Sequence, residues 1–248
     1  MTWLRLVRAE IRKLTTTRLP LGFLAVLTLI AGVDAAVVVF GTDMDGSKTF
    51  ISTAADQQSL MAFAFNAMLG TGLFGAIAVA REYGHHTVVP TFLTSPRRMR
   101  AGLAQLAAVL LGGALLGLVG QALIIAGVAL ALPSTEYGFL VAAGGVAQIL
   151  AASTLAGAVG AVLGAGLGAV IRNLGGAVTA VVLALFMIPP LVVQLSSDAA
   201  SWIPPALAAV VSGVSTDLST WAALTALLAW AVVPAAAGLL LVERRDVV

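Results

Sequence analysis

Apolar residues run along this chain in long blocks separated by short polar stretches, with neither the strict alternation of a half-buried strand nor the single stripe of a surface helix. Six blocks, 19–41, 60–80, 101–132, 139–171, 175–195 and 220–242, reach the roughly 20 residues that a helix needs to cross the hydrocarbon core of a bilayer. The third and fourth exceed that length, which predicts tilt or projection beyond the bilayer. Pro189-Pro190 removes two amide donors in the fifth, and a kink or an end is expected there. Residues 196–219 are polar at both ends and split by Pro204-Pro205, so they read as one or two short helices dipping into the outer face, an outer re-entrant loop. Residues 1–18 set Leu4, Val7, Ile11 and Leu14 on one helical stripe among Arg5, Arg8, Arg12 and Lys13, the pattern of a helix lying in the headgroup region. The charged front of a cleaved signal peptide is the alternative, but the apolar run that follows is too long and has no small-residue cleavage pattern. The predicted fold is all-α, a polytopic membrane protein with a single transmembrane domain over residues 1–248.

Composition agrees. Hydrophobic residues make up 60% of the 248 positions and charged residues 10%, more apolar surface than one soluble core can bury. With no cysteine, a disulfide framework, a thiol nucleophile and a thiolate metal site are all excluded. The distribution of basic residues matters more than the net charge of +2. Residues 1–18, 81–100, 172 and 243–248 hold twelve of the thirteen lysines and arginines, and only Lys48 falls in the opposite set of loops. Because basic loops stay on the cytoplasmic side during insertion, both termini are expected inside.

Residues 81–100 form the one long charged stretch between two spans. Arg81-Glu82 opens it, Gly84-His85-His86-Thr87 makes a turn, Val88, Val89, Phe92 and Leu93 restore amphipathic character, and Pro96 closes it ahead of Arg97-Arg98. A short interfacial helix is the expected structure. His85 and His86 would point about 100° apart on a helix and have no third ligand nearby, so solvated turn residues are favoured over a metal site. Glu82 is read either as a cap and dipole partner at the start of that helix, pairing with Arg81 or an arginine of a partner, or as a solvated loop acid. Within the spans Asp34 is the only acidic residue, roughly 20 Å along the first helix at 1.5 Å per residue. Intramembrane ionisable groups suggest function, but this depth favours a carboxylate reaching interfacial water. Most of Asn66, Gln121, Gln148 and Thr179 are expected to bond a neighbouring helix. Gly160, Gly164 and Gly168 repeat a G-x-x-x-G spacing that lets a helix of this chain or of another approach closely. The chain has no G-x-x-x-x-G-K-[ST] phosphate loop, so it cannot bind and hydrolyse ATP in that manner, and no enzymatic activity is expected.

Ala80, Arg81, Glu82, Tyr83, Thr87, Val88, Phe92, Leu93, Ser95, Pro96 and Arg98 together resemble the cytoplasmic loop of ABC-2 type transporter permeases, the transmembrane subunits of ATP-binding cassette exporters. The match covers about a twelfth of the chain, and the six-span layout extends it. This resemblance implies an N-terminal elbow helix beside the first span. It also implies a coupling helix between spans two and three, with Arg81, Glu82, Tyr83, Gly84, Thr87, Val88, Val89, Phe92 and Leu93 contacting the ATPase. Gly84 and the two histidines depart from the basic or small residues usual after the tyrosine. Phe63, Asn66, Phe74, Thr179, Phe186 and Met187 would then line an apolar translocation path, although ordinary helix packing explains any one of them. The implied partners are two ATP-binding subunits, a second permease chain, identical or homologous, and the lipid of a bacterial cytoplasmic membrane; no nucleic acid is implied. This chain would hold no cofactor of its own, with ATP and magnesium bound by the partner. Export of an amphiphilic substrate, such as a drug, a lipid-linked sugar or a peptide, is the expected function. The competing expectations are an ion- or proton-coupled secondary carrier, which would show a mid-membrane charge relay or inverted repeats, and a non-transporting immunity or assembly factor.

Overall fold

A computed structural model describes residues 3–44, 46–84 and 98–244. Thr87, Val88, Val89, Phe92 and Leu93 of the expected coupling helix lie outside the described residues, as do His85 and His86. Among the described residues all regular structure is helical, and six helical stretches are long and apolar enough to cross a membrane. The protein is therefore a multi-pass membrane protein.

Helix α1 (Trp3–Thr15) breaks at Thr16, and α2 (Leu19–Phe40) starts with Pro20 in its first turn, where the missing amide would have had no helical partner. Lys48 returns to the far end of α2, its Nζ donating to the carbonyls of Val38 at 3.0 Å and Val39 at 2.6 Å. A cation there satisfies orphan carbonyls and complements the helix dipole. Helix α3 (Ala54–Met61) opens on a capping box in which the Thr53 hydroxyl accepts from the Asp56 amide at 3.1 Å and the Asp56 carboxylate accepts from the Thr53 amide at 3.0 Å. After a break at Ala62-Phe63 come α4 (Ala64–Gly84), α5 (Arg98–Ala131), α6 (Ala143–Ile171), α7 (Leu174–Leu195), the short α8 (Ser197–Ala200) and α9 (Pro204–Val211), and α10 (Thr220–Arg244).

One expectation changes. The second span was expected at 60–80 with a charged loop from Arg81, but α4 continues to Gly84 because arginine, glutamate and tyrosine carry a helix onward and no glycine follows Gly75 until its end. Arg81, Glu82 and Tyr83 are thus helix-end residues. At the proline pair, where a kink or an end was expected, the fifth span keeps its expected extent to Leu195 and adjusts locally. Residues Leu183–Met187 form a π turn, with the Ile188 amide donating to the Leu183 carbonyl, and the helix runs on through Pro189-Pro190 to Leu195. The wider turn relieves the clash that proline rings make with carbonyls four residues back.

Helix α6 is the central column, packed on α4, α5 and α10. Glycine makes this possible on three faces at once. A Cβ on Gly164 would overlap the Gly72 carbonyl and one on Gly160 the Met68 carbonyl, while on Gly168 it would lie 3.1 Å from the Ala76 carbonyl oxygen. The G-x-x-x-G face therefore serves α4 of the same chain. Gly157 meets Gly113 of α5 in the same way, and Gly166 meets the backbone of Pro234 and Ala235 in α10. Without a hydrophobic drive between helices in lipid, such backbone approach supplies the dispersion contacts that hold spans together.

Buried amides close the end opposite the basic residues. Gln121 of α5 is fully buried, donates to the Met61 carbonyl at 2.9 Å, and accepts from the Phe63 amide at 3.4 Å and the Ser153 hydroxyl at 2.6 Å. It thereby supplies the partners that the α3–α4 break removes, which apolar surroundings would otherwise make unaffordable. Gln57, also fully buried, donates to the carbonyls of Ile51 at 3.1 Å and Gly138 at 2.9 Å and accepts from the Leu140 amide at 2.9 Å. Gln58 donates to the Ser212 carbonyl at 3.0 Å. Helix α3 thus ties three loops together.

Candidate coupling junction at the basic end

The buried side of α1 differs from the expected stripe. Val7 and Glu10 are buried and Leu14 packs near Phe74, whereas Leu4 is 73% exposed and Ile11 36%. Positions 7, 10 and 14 keep helical spacing, so Glu10 could have been placed on the inner face had its charge not argued against it. Its partner makes that burial possible. Lys13 Nζ lies 2.7 Å from Glu10 Oε1 and 3.5 Å from Glu82 Oε1, bridging a carboxylate on its own helix and one on α4.

Glu82 consequently has a different role from a cap on a new helix. It sits in the last turn of α4, where backbone carbonyls leave partial negative charge and a carboxylate is disfavoured by the dipole. Its side chain is 13% exposed, and Lys13 supplies the positive charge that such a site requires. The neighbouring Tyr83 faces another element. The Arg172 guanidinium stands 5.1 Å from the centre of the Tyr83 ring and donates through Nη2 to the Leu241 carbonyl of α10 at 3.1 Å. Asn173 then caps α7, its Oδ1 accepting from the Gly176 amide at 2.9 Å. The Lys13 contact with Glu82 and the Arg172 contacts with Tyr83 and Leu241 join residues more than 60 positions apart in sequence, so local pattern carried no sign of them.

Glu10, Glu82, Tyr83 and Gln105 line a cavity of about 30 Å³ between α1, α4, α5, α6 and α10. It has room for water but not for an organic substrate. A larger, open, apolar groove of about 530 Å³ lies on α6 between α7 and α10, lined by Leu163, Leu167, Ala184, Trp230 and Val233. The Trp230 indole donates to the Trp202 carbonyl at 3.2 Å at its edge.

Neither space gathers the six residues expected along a passage. Phe63 and Phe74 are buried in separate clusters, and Phe74 packs edge-on to Phe23 with ring centres 5.7 Å apart, so both serve helix packing. Asn66 on α4 and Thr179, Phe186 and Met187 on α7 are exposed on the surface of this single chain. Asp34 is half-buried in the last third of α2. Among the described residues no three histidine, cysteine, aspartate or glutamate side chains come together in a metal-binding group. No family model matches the chain, and no curated protein matches its sequence.

Proposed function

We propose that this chain is the transmembrane subunit of an ABC-2 type exporter, working as a pair of permease chains with two separate ATP-binding subunits and moving an amphiphilic substrate outward across a bacterial cytoplasmic membrane. Its support is the motif from Ala80 to Arg98, the six spans, and the gathering of basic residues at one end. The observation that carries the reading is the anchorage of the α4 terminus. Glu82 is held by Lys13 and Tyr83 by Arg172, so the segment that follows leaves from a fixed point rather than from a frayed helix end. A docking segment needs such a base if force on it is to move spans instead of merely bending a loop.

In this reading α1 is the elbow helix, and the coupling stretch within 81–100 docks in a groove of the ATPase as short amphipathic segments do. ATP and magnesium belong to that partner, which supplies the hydrolysis. The exposed Asn66, Thr179, Phe186 and Met187 face the second permease chain or the passage between the two. Few fixed charges lie in the spans, which suits an amphiphilic cargo better than an ion.

The test is co-purification with the ATP-binding partner subunit when the two are expressed together. Burying an aromatic side chain at an interface contributes roughly 1.5–3 kcal/mol, enough to change affinity more than tenfold. Phe92→Asp is expected to leave the spans inserted and to lose the ATPase from the purified complex. A Phe92→Asp chain that still binds the ATPase at full stoichiometry and exports normally removes the 81–100 stretch as the coupling element.

A further inference from the structure

Arg172 has the one positive φ among the described non-glycine residues, 57°, at the C-cap of α6. Helices commonly end on a left-handed residue, and glycine is the usual one because a Cβ there is strained. An arginine is therefore unexpected at this position on backbone grounds alone. Its side chain reaches two other helix ends, the Leu241 carbonyl near the end of α10 and the Tyr83 ring in the last turn of α4. Backbone strain of this kind persists where the surroundings over-determine it. Nε of Arg172 is buried and has no hydrogen-bond partner among the described residues, so the guanidinium is placed by its Nη2 bond and its ring contact rather than by full satisfaction of its donors.

We propose that Arg172 is a conformational pin that locks the α4 terminus to the ends of α6 and α10, independently of the Lys13 bridge that locks it to α1. Adjacent residues, Glu82 and Tyr83, are held by different bodies, one by the N-terminal helix and one by the central bundle. Displacement of the segment after Gly84 then reaches α6 and α10 through Tyr83 and Arg172, and reaches α1 through Glu82 and Lys13. Releasing either latch alone loosens the last turn of α4, beyond its backbone contact with α6 at Ala80, toward one body more than toward the other. This junction exists whatever the chain transports, so its failure and the failure of the exporter reading are separate results.

The absence of cysteine allows clean double spin-labelling of the full chain in lipid nanodiscs. Gly84→Cys with Leu240→Cys reports the distance from α4 to α10, and Gly84→Cys with Ile11→Cys reports that from α4 to α1. Gly84 is open around its Cα, and Leu240 and Ile11 are exposed. Each pair is expected to give a single narrow distance. Arg172→Gly, which relieves the backbone, and Tyr83→Leu, which leaves the backbone alone, should both lose the narrow α4–α10 distance and keep the α4–α1 distance. Lys13→Met should do the reverse. If Arg172→Gly and Tyr83→Leu leave the α4–α10 distance narrow, or if either broadens both distances together, the pin is overturned.

Discussion

At Gln121, one side chain replaces the backbone bonds of a broken helix. Its amide meets the Met61 carbonyl, the Phe63 amide and the Ser153 hydroxyl, none of which has water available in a fully buried site. Gln121→Leu should therefore destabilise the chain by about 1–3 kcal/mol in reversible unfolding from mixed micelles, the usual penalty for stranding buried polar groups. Gln148→Leu, which loses only one 3.4 Å bond at an exposed position, should change stability by less than about 0.5 kcal/mol. Equal effects would show that the break is held by something other than Gln121. Sequence reading foresaw an interhelical bond for Gln121 but not the break, since neither Ala62 nor Phe63 is a helix breaker and the partner lies about 60 residues on. Asp34 belongs to this scale as well. Its place in the last third of α2 fits a carboxylate that reaches the interface, so Asp34→Asn should leave export in inverted vesicles close to normal. Loss of export with normal insertion would instead favour a proton-coupled carrier.

Helices α4 and α6 touch along backbone, and the two glycine faces allow it. Gly164→Ala would place its methyl onto the Gly72 carbonyl, so the helices must separate and the α4–α6 contact weakens along its length. Gly144, on the same helix, has nothing within 4 Å of an added Cβ, and Gly144→Ala should be neutral or stabilising by roughly 0.5–1 kcal/mol because alanine favours helix. Thermal unfolding of the two variants checks this; a Gly164→Ala chain as stable as Gly144→Ala would mean that the two helices are not in backbone contact. The glycine spacing was legible in the sequence as a packing face, whereas its partner was not, because spacing records a shape and not the surface it fits. In the fifth span the sequence marked the place of the irregularity but not its form. Pro189-Pro190 is a strong local stop signal, yet one π turn lets α7 pass through it, a backbone adjustment with no residue signature of its own.

For the molecule as a whole, run length and apolar composition were enough to read six spans, because a bilayer sets a minimum length that hydropathy records directly. The junction at the basic end was only half legible. Glu82 stood out as a charge at a span boundary, but its setting depends on Lys13 in a separate helix, and Glu10 was hidden by the rule that carboxylates stay outside. Both the coupling proposal and the export direction stand on one arrangement, with the ends of α4, α6 and α10 facing the cytoplasm and the α2–α3 connection facing out. That arrangement is tested by single cysteines in this naturally cysteine-free chain, at the exposed Met44 between α2 and α3 and at the exposed Gly84 at the end of α4. An impermeant maleimide added to intact cells should label Met44→Cys and leave Gly84→Cys unlabelled until the membrane is permeabilised. Labelling of Gly84→Cys from outside, or of both positions equally, would contradict the account.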